Sequence, residues 1–348
     1  MVSATEKRKQ QHLKVCAEKD VGFEKKTTML EDVELNYKTL PEINMSDVSL
    51  ATNFLGKEFK MPVIVSAITG GAQVSKKVNQ DIAKACQETG AGMGVGSMRA
   101  MIEDPSLTDT YKIRKEAPDI FLTGNIGMFQ LKEYSPEKIE EALNAIEADA
   151  VAVHLNAAQE AVQPEGDFNA EGLIDIIDSF SRDISLPVYV KEVGHGISFE
   201  VAKALKSTNI KAIDVQGAGG TSWTRVDSLR HKNGFGAVFR DFGLPTAVSI
   251  IETKNALADS EIKIVGSGGV YNGLDAAKAI VLGADMVGMA LPILQAQMKK
   301  GAKGVESYLE SYKKEMIITA YLLGCKDVSE LKEEEYVILG KLKDWLNQ

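Results

Sequence analysis

The chain has 348 residues, 44% hydrophobic and 26% charged, which is ordinary for a globular protein with enough material for a large core. A net charge of -9 and a pI near 5.2 exclude a generally basic surface for nucleic acid. No apolar run reaches the roughly 18 residues of a membrane span, no signal-peptide core opens the chain, and Cys16, Cys86 and Cys325 form no CxxC, so a reducing, cytoplasmic setting without disulfides or structural zinc is expected.

Residues 1 to 60 open with "EKRKQQHLK", which sets Arg8 and His12 one helical turn apart with Lys9 beside them. Residues 1 to 14 carry four basic residues against one acid. A solvated charged helix is the ordinary reading of such a segment. The sharper one is a lid that closes on a phosphorylated substrate. "TTMLEDVELNYKTLPEI" after it reads as extended structure.

From residue 61 to 300 one pattern repeats: an apolar run, a loop of Gly and polar residues, then a helical stripe. The runs are "PVIVSAI" from Pro62, "GAGMGVGS" from Gly90, "IFLTGNIG" from Ile120 and "DAVAVHLN" from Asp149. They continue with "LPVYVKEV" from Leu186, "IKAIDVQGAG" from Ile210, "IKIVGSGGV" from Ile262 and "ADMVGMAL" from Ala284. Near-continuous apolar runs suit parallel strands covered on both faces. The stripes Val78/Ile82/Cys86, Ile139/Leu143/Ile146 and Leu173/Ile176/Ile177/Phe180 suit the covering helices. Ser135 before Pro136, and Ser75 and Ser198, are the expected helix starts. "LPTAVSI" near Leu244 reads as a helix from Pro245 rather than a ninth strand, because Val248, Ile251 and Leu257 keep helical spacing. Eight units predict an α/β fold, a (β/α)₈ TIM barrel, with a doubly wound open sheet as the alternative. Residues 301 to 348 read as two or three amphipathic helices, and the whole as a single decorated domain.

The carboxyl ends of the runs collect the polar groups, as barrel active sites do. They offer Thr69-Gly70-Gly71, Ser97-Met98-Arg99, Asn125, then His154, Asn156, Gln159 and Glu160, then Lys191. Gly217 to Trp223, Gly266 to Gly269 and Ala290-Leu291 complete the set. "GSGGV" with Thr221 and the preceding "GAGG" is the signal for a phosphate, since glycines let backbone N–H groups approach an anion and a helix start adds a favourable dipole. A tight turn that needs glycine is the simpler alternative. Lys191 at a strand end is either a fixed cation for a cofactor that becomes anionic, a Schiff-base lysine, or the partner of Glu192 in an ion pair. Glu160 is a one-carboxylate site for Mg²⁺ shared with phosphate oxygens, or a helix-start acid. Gln159 cannot ionise, so it is an orienting or a structural amide. His154 taken alone is an ordinary interior histidine.

Together these motifs resemble the type II isopentenyl diphosphate isomerases, which are FMN-dependent (β/α)₈ barrels. The resemblance runs from "RKQQH" at Arg8 through "SAITGG", "GSMR", "GNIG", "HLNAAQEAVQPEGD", "VKEVGHGIS", "GAGGTSW" and "GSGGVYNGLDAAKAIVLGAD", up to about residue 300. The family commonly carries Gln and Met where this chain has Met98 and Ile68.

The resemblance implies FMN contacts at Ala67, Ile68, Thr69, Ser97, Asn125 and Lys191. It implies a phosphate site at Thr221, Gly268, Gly269, Val270, Tyr271, Ala290 and Leu291. Arg8, Lys9, His12 and Arg99 would meet the substrate diphosphate, with Ser97 and Met98 close by. Glu160 would hold Mg²⁺. Gln159 would line the allyl end, with His154, Asn156 and Trp223 near it. It further implies a homotetramer, and NAD(P)H as reductant of the flavin only.

The implied reaction moves a double bond from C3–C4 to C2–C3 of isopentenyl diphosphate, giving dimethylallyl diphosphate, by adding a proton at C4 and removing one at C2. No pair of carboxylates stands out for this, so the reduced flavin is expected to give and take the proton, with Gln159 and Lys191 as the assisting residues. A 2-hydroxyacid oxidase needs a histidine beyond the sixth strand, and the nearest, His231, is eight residues past Trp223. A reading similar to inosine monophosphate dehydrogenase needs a loop cysteine that is missing there. A non-catalytic flavin or phosphate carrier needs neither the basic arm nor Glu160.

Overall fold

A computed structural model of the chain describes residues 4–231 and 235–347, with side chains from Arg8 onward. Each of the eight expected runs forms a strand. They are β1 (Val63–Val65), β2 (Gly92–Gly94), β3 (Leu122–Gly127), β4 (Ala150–His154), β5 (Val188–Lys191), β6 (Ala212–Asp214), β7 (Lys263–Ser267) and β8 (Met286–Met289). All neighbouring pairs are parallel, and β8 closes onto β1 through Val287↔Val63. Closure rules out the open sheet. Residues Thr246–Ala256 are helical, with Pro245 just before them, so the segment near Leu244 adds no strand.

The stripes read from sequence face the barrel: Val78, Ile82, Cys86, Ile139, Leu143, Ile146, Leu173, Ile177 and Phe180 are all buried. Ser198 caps its helix by accepting from the Val201 N–H. Ser135 precedes Pro136 at a helix start, as expected. Ser75 does not start a helix. That helix begins at Gln73 after Ala72, and the Ser75 hydroxyl instead bonds Thr69 Oγ1 at 2.7 Å.

Strand residues alternate between faces. Ile64, Phe121, Ala150, Ala152, Tyr189, Ala212, Val265 and Met286 form one cluster inside the barrel. Phe54 and Phe59 join it from a hairpin, Thr52–Phe54 and Lys57–Phe59, that seals the amino-terminal end. Phe54 lies 5.7 Å from the Phe121 ring, edge to face. Two residues further along the strands the interior turns polar: Ser66, His154, Lys191, Asp214 and Ser267 follow Ile64, Ala152, Tyr189, Ala212 and Val265. An apolar plug therefore lies below a polar rim.

Of the N-terminal segment expected to be extended, only Val33–Leu35 is a strand, and it pairs antiparallel with Tyr336–Ile338. The helix Leu291–Leu322 breaks at Gly301, whose φ of 60° and ψ of -148° are not helical, so its second half forms the first of the C-terminal helices.

Candidate active site

The polar rim opens into one deep cavity at the carboxyl ends of the strands. The N-terminal helix, Ala4–Glu18, covers it from the same chain. Arg8, Lys9 and His12 line the cavity from this helix, as do Leu13 and Cys16. Lys9 Nζ donates to the Ser97 carbonyl at 2.8 Å and to Tyr111 Oη at 2.9 Å. Burial and the neighbouring Arg8 bring its pKa down to about 7.

His12 is fixed from two sides. Its ring meets Trp223 edge-on at 5.2 Å, and its Nε2 lies 3.1 Å from Asp227 Oδ1. Asp227 also accepts from Gln159 Nε2 at 3.0 Å and from Arg230 Nε at 2.8 Å. Burial pushes the Asp227 carboxyl up, but His12, Arg230 and Gln159 outweigh it and hold it below the usual carboxylate range. An ionised carboxylate only accepts, so Gln159 must turn its nitrogen to Asp227 and its oxygen elsewhere. Burial lowers His12, with Asp227 opposing.

Arg230 goes on to Gln163 Oε1 at 3.2 Å and Glu165 Oε1 at 2.7 Å. The "QPEGD" loop is thereby tied to the helix Trp223–His231. Glu160 lines the cavity beside that loop, and its carboxylate accepts from Asn156 Nδ2 at 2.7 Å and from the Asp167 N–H at 3.0 Å. Burial raises its pKa, and these two donors oppose the rise. Asn156 Oδ1 is buried with no protein partner. No group of three or more His, Cys, Asp or Glu that could hold a metal occurs among the described residues. A cation at Glu160 would therefore complete its shell with ligand oxygens and water, as Mg²⁺ does.

His154 Nδ1 lies 2.9 Å from Asn125 Oδ1, an acceptor, so Nδ1 carries the hydrogen. Burial, helped by Lys191, Lys9 and Arg8, lowers the His154 pKa to about 3. Lys191 is 5% exposed and its Nζ donates to the Glu192 carbonyl at 2.7 Å. The expected alternative, a Lys191–Glu192 ion pair, is not formed. Glu192 Oε2 instead takes the backbone N–H groups of Val193, Gly194 and His195.

Ala67, Ile68, Thr69 and Ser97 line the far side with Arg99, whose Nε donates to Glu103 at 2.7 Å. Thr221, Gly268, Gly269, Val270 and Tyr271 form one end with Ala290 and Leu291. The two glycine loops here interlock backbone to backbone. A Cβ on Gly268, at φ +100°, would lie 2.1 Å from the Gly217 carbonyl oxygen, and one on Gly220 would lie 2.4 Å from the Gly269 nitrogen. Such bare backbone suits a phosphate. The helix dipole at this end differs from the expected one. The helix Gly273–Leu282 is already capped, because Gly273 N–H donates to Glu315 and Asp275 N–H to Asn272. The helix Leu291–Leu322 starts at the cavity with no side-chain cap.

Met98 is the expected site residue whose side chain is not in the cavity. It is fully buried on the outer face of β3, against Gly124, which has no side chain to exclude it. The central role of Asp227 was not foreseen. Its one sequence signal is a position four residues past Trp223, one turn along the same helix face.

The FMN-dependent dehydrogenase family model matches residues 3–106 and 123–338. The chain is 41% identical over 356 residues to the isopentenyl-diphosphate delta-isomerase of Methanosarcina mazei, covering 100% of this chain and 96% of that protein. It is 43% identical over 343 residues to that of Methanothermobacter thermautotrophicus, covering 98% and 95%. The chain belongs to the type II isopentenyl-diphosphate delta-isomerase family. Members of this isomerase family are enzymes, and the FMN-dependent model fits its flavin-using type. In fold, the isomerase chain is also similar to a lactate oxidase of Pediococcus acidilactici, described as putative, with a TM-score of 0.70 at 18% identity over 96% of this chain and 93% of that one. A mandelate oxidase variant superposes with a TM-score of 0.67 at 17% identity, covering 95% and 96%. At such identities the likeness is one of fold.

Proposed function

We propose that this chain interconverts isopentenyl diphosphate and dimethylallyl diphosphate, with FMN on the barrel mouth and Mg²⁺ at Glu160. The observation that carries the reading is the meeting of two sets of groups in one cavity. Lys191 and the interlocked glycine loops fit a phosphorylated, ring-bearing cofactor. Arg8, Lys9, His12 and Arg99 fit a second anion, and Glu160 with the unpartnered Asn156 Oδ1 fits a hydrated cation that bridges to it.

Residues 1 to 60 then act as a lid and brace, 61 to 300 as the catalytic barrel and 301 to 348 as an outer support. The arm cations bind the diphosphate, and Ser97 lies beneath them. Reduced FMN, when bound, supplies acid–base and cation-stabilising chemistry that no side chain here offers. Asp227 does not fill that role, because three donors hold it ionised. It orients Gln159, whose oxygen then faces the hydrocarbon end, with His154, Asn156 and Trp223 around it. Neutral His154 and the covering arm helix keep water away from a site that must tolerate a tertiary carbocation. Lys191 offers a fixed cation to negative charge on the reduced cofactor. NAD(P)H serves only as reductant, since the isomerisation is redox-neutral. A homotetramer is the expected assembly, to be checked by light scattering.

The deciding assay is anaerobic. Purified protein is mixed with FMN, Mg²⁺ and isopentenyl diphosphate, with and without dithionite. Dimethylallyl diphosphate formed only with reductant supports the proposal. No product in either mixture while FMN is bound removes it.

A further inference from the structure

Asp214 ends β6 and points into the barrel, two residues beyond Ala212. It is 4% exposed and does not line the cavity. A carboxylate in such a place is costly unless compensated. Ser267 Oγ donates to Oδ1, and Gln216 Nε2 donates to Oδ2 at 2.9 Å. The same Gln216 nitrogen donates to Ser66 Oγ at 3.1 Å. Both amide hydrogens are turned inward, so the oxygen is what Gln216 has left for the cavity it lines. The Gln216 backbone is pinned in an unusual state. Its φ is 39°, its N–H donates to Ser267 Oγ at 3.1 Å, and its carbonyl accepts from Gly196 at 3.1 Å. Left-handed, non-glycine residues persist where the surroundings impose them.

Lys191 is the register partner of Asp214 across β5 and β6, and both side chains are inside the barrel. The Lys191 Nζ bond to the Glu192 carbonyl is to a neutral acceptor. The Glu192 carboxylate on the same strand end is occupied by backbone N–H groups. Among the described residues, the other titratable groups facing this region are His154 on β4, Tyr189 on β5, and Arg8 and Lys9 of the arm. Asp214 is the buried carboxyl on the adjoining strand; burial pushes it up, and Lys191, Ser267 and Gln216 work against that rise in favour of its ionised form. Burial works against the charge on Lys191, and Asp214 works for it more than Glu192 does.

On the reading that FMN lies at this mouth, we infer that Asp214 is a positioning residue for the cofactor: from one layer below the cavity it keeps Lys191 charged while FMN is oxidised. The cation is then in place before reduction begins. Two electrons added to FMN draw protons to the flavin alone. Without Asp214, Lys191 is neutral beside oxidised FMN and takes one further proton as negative charge arrives.

The test uses the FMN-loaded enzyme without oxygen. The midpoint potential is followed by dithionite titration at a series of pH values, and its slope counts protons taken up per two electrons. Asp214→Asn is expected to take up one proton more than the unaltered enzyme. The D214N/K191R double variant, whose guanidinium stays charged, is expected to return to the unaltered count. An unchanged count in flavin-loaded Asp214→Asn overturns the inference. Should that variant not fold, Lys191→Arg alone decides. A count equal to the unaltered enzyme supports the inference, and one proton fewer overturns it. Failure of the unaltered protein to hold FMN at all is a separate result, read directly from the flavin absorbance, and it sinks the reading on which the inference rests.

Discussion

His12 Nε2 stands 3.1 Å from Asp227 Oδ1, and this contact joins the N-terminal helix to the helix that follows the sixth strand. The same carboxylate holds Gln159 and Arg230, so one buried group sets the position of the N-terminal helix, the Gln159 amide and the "QPEGD" loop. Replacement of Asp227 by Ala leaves three donors without their acceptor. Removing one partner of a buried charged pair costs about 3 kcal/mol. The expected result is a lower Tm together with faster proteolysis of the first 18 residues. Gln159→Ala is the comparison: it should cut turnover while the arm stays protected and FMN stays bound.

Lys9 gives the proposed diphosphate site a pH dependence. Its pKa is brought down to about 7, so the ammonium is present below that pH and lost as pH rises through it. Diphosphate binding should therefore weaken above pH 7, seen as a rising KM with little change in kcat. Lys9→Arg keeps its charge at any of these pH values and should flatten the rise. A KM that rises equally in both proteins would remove Lys9 as the source.

Glu160 is the expected anchor of Mg²⁺, and its amide replacement tests that role with little change of shape. Glu160 uses one oxygen for Asn156 Nδ2 and the other for the Asp167 N–H, so Glu160→Gln keeps an acceptor for only one of them. Half-saturation by Mg²⁺ should move to roughly tenfold higher concentration or more, which corresponds to about 1.4 kcal/mol. Flavin content should be unchanged, because the glycine loops lie at the opposite end of the cavity.

Gly268→Ala probes those loops. The new Cβ would meet the Gly217 carbonyl oxygen at 2.1 Å, which is backbone and cannot swing aside, and φ of +100° disfavours any side chain. The purified variant should carry little FMN, as read from its visible absorbance, and should melt at a lower temperature than the unaltered protein.

The barrel was legible in the sequence because its strands are covered on both faces. Segments such as Val188–Lys191 are continuous apolar runs that end in a polar residue, and a helical stripe follows most of them. The basic cluster at Arg8, Lys9 and His12 was legible because it stands out against an acidic chain. The hairpin that plugs the barrel was not. Its strands are three residues long, and its turn uses Leu55 and Gly56, at φ 49° and 83°, where an Asn-Gly pair would have signalled the hairpin. Asp227 was hidden for a different reason. It sits in a helix of mixed polarity, Trp223–His231, and its importance comes from partners 215 and 68 positions away. Met98 went the other way: motif position suggested the cavity, but the bare surface at Gly124 gives its side chain an apolar seat on the far side of the strand.

The ribbon pairs Val33–Leu35 with Tyr336–Ile338, two segments that lie on either side of the whole barrel in sequence. On a ribosome the first strand emerges before the barrel and the second after it, so the pairing must wait until Tyr336–Ile338 has been made. All eight barrel strands have been made by then. The N-terminal helix need not wait for that pairing, because Asp227, the partner of His12, is made well before Tyr336. A product that stops short of Tyr336 would have a barrel to fold but would leave Val33–Leu35 as an unpaired edge.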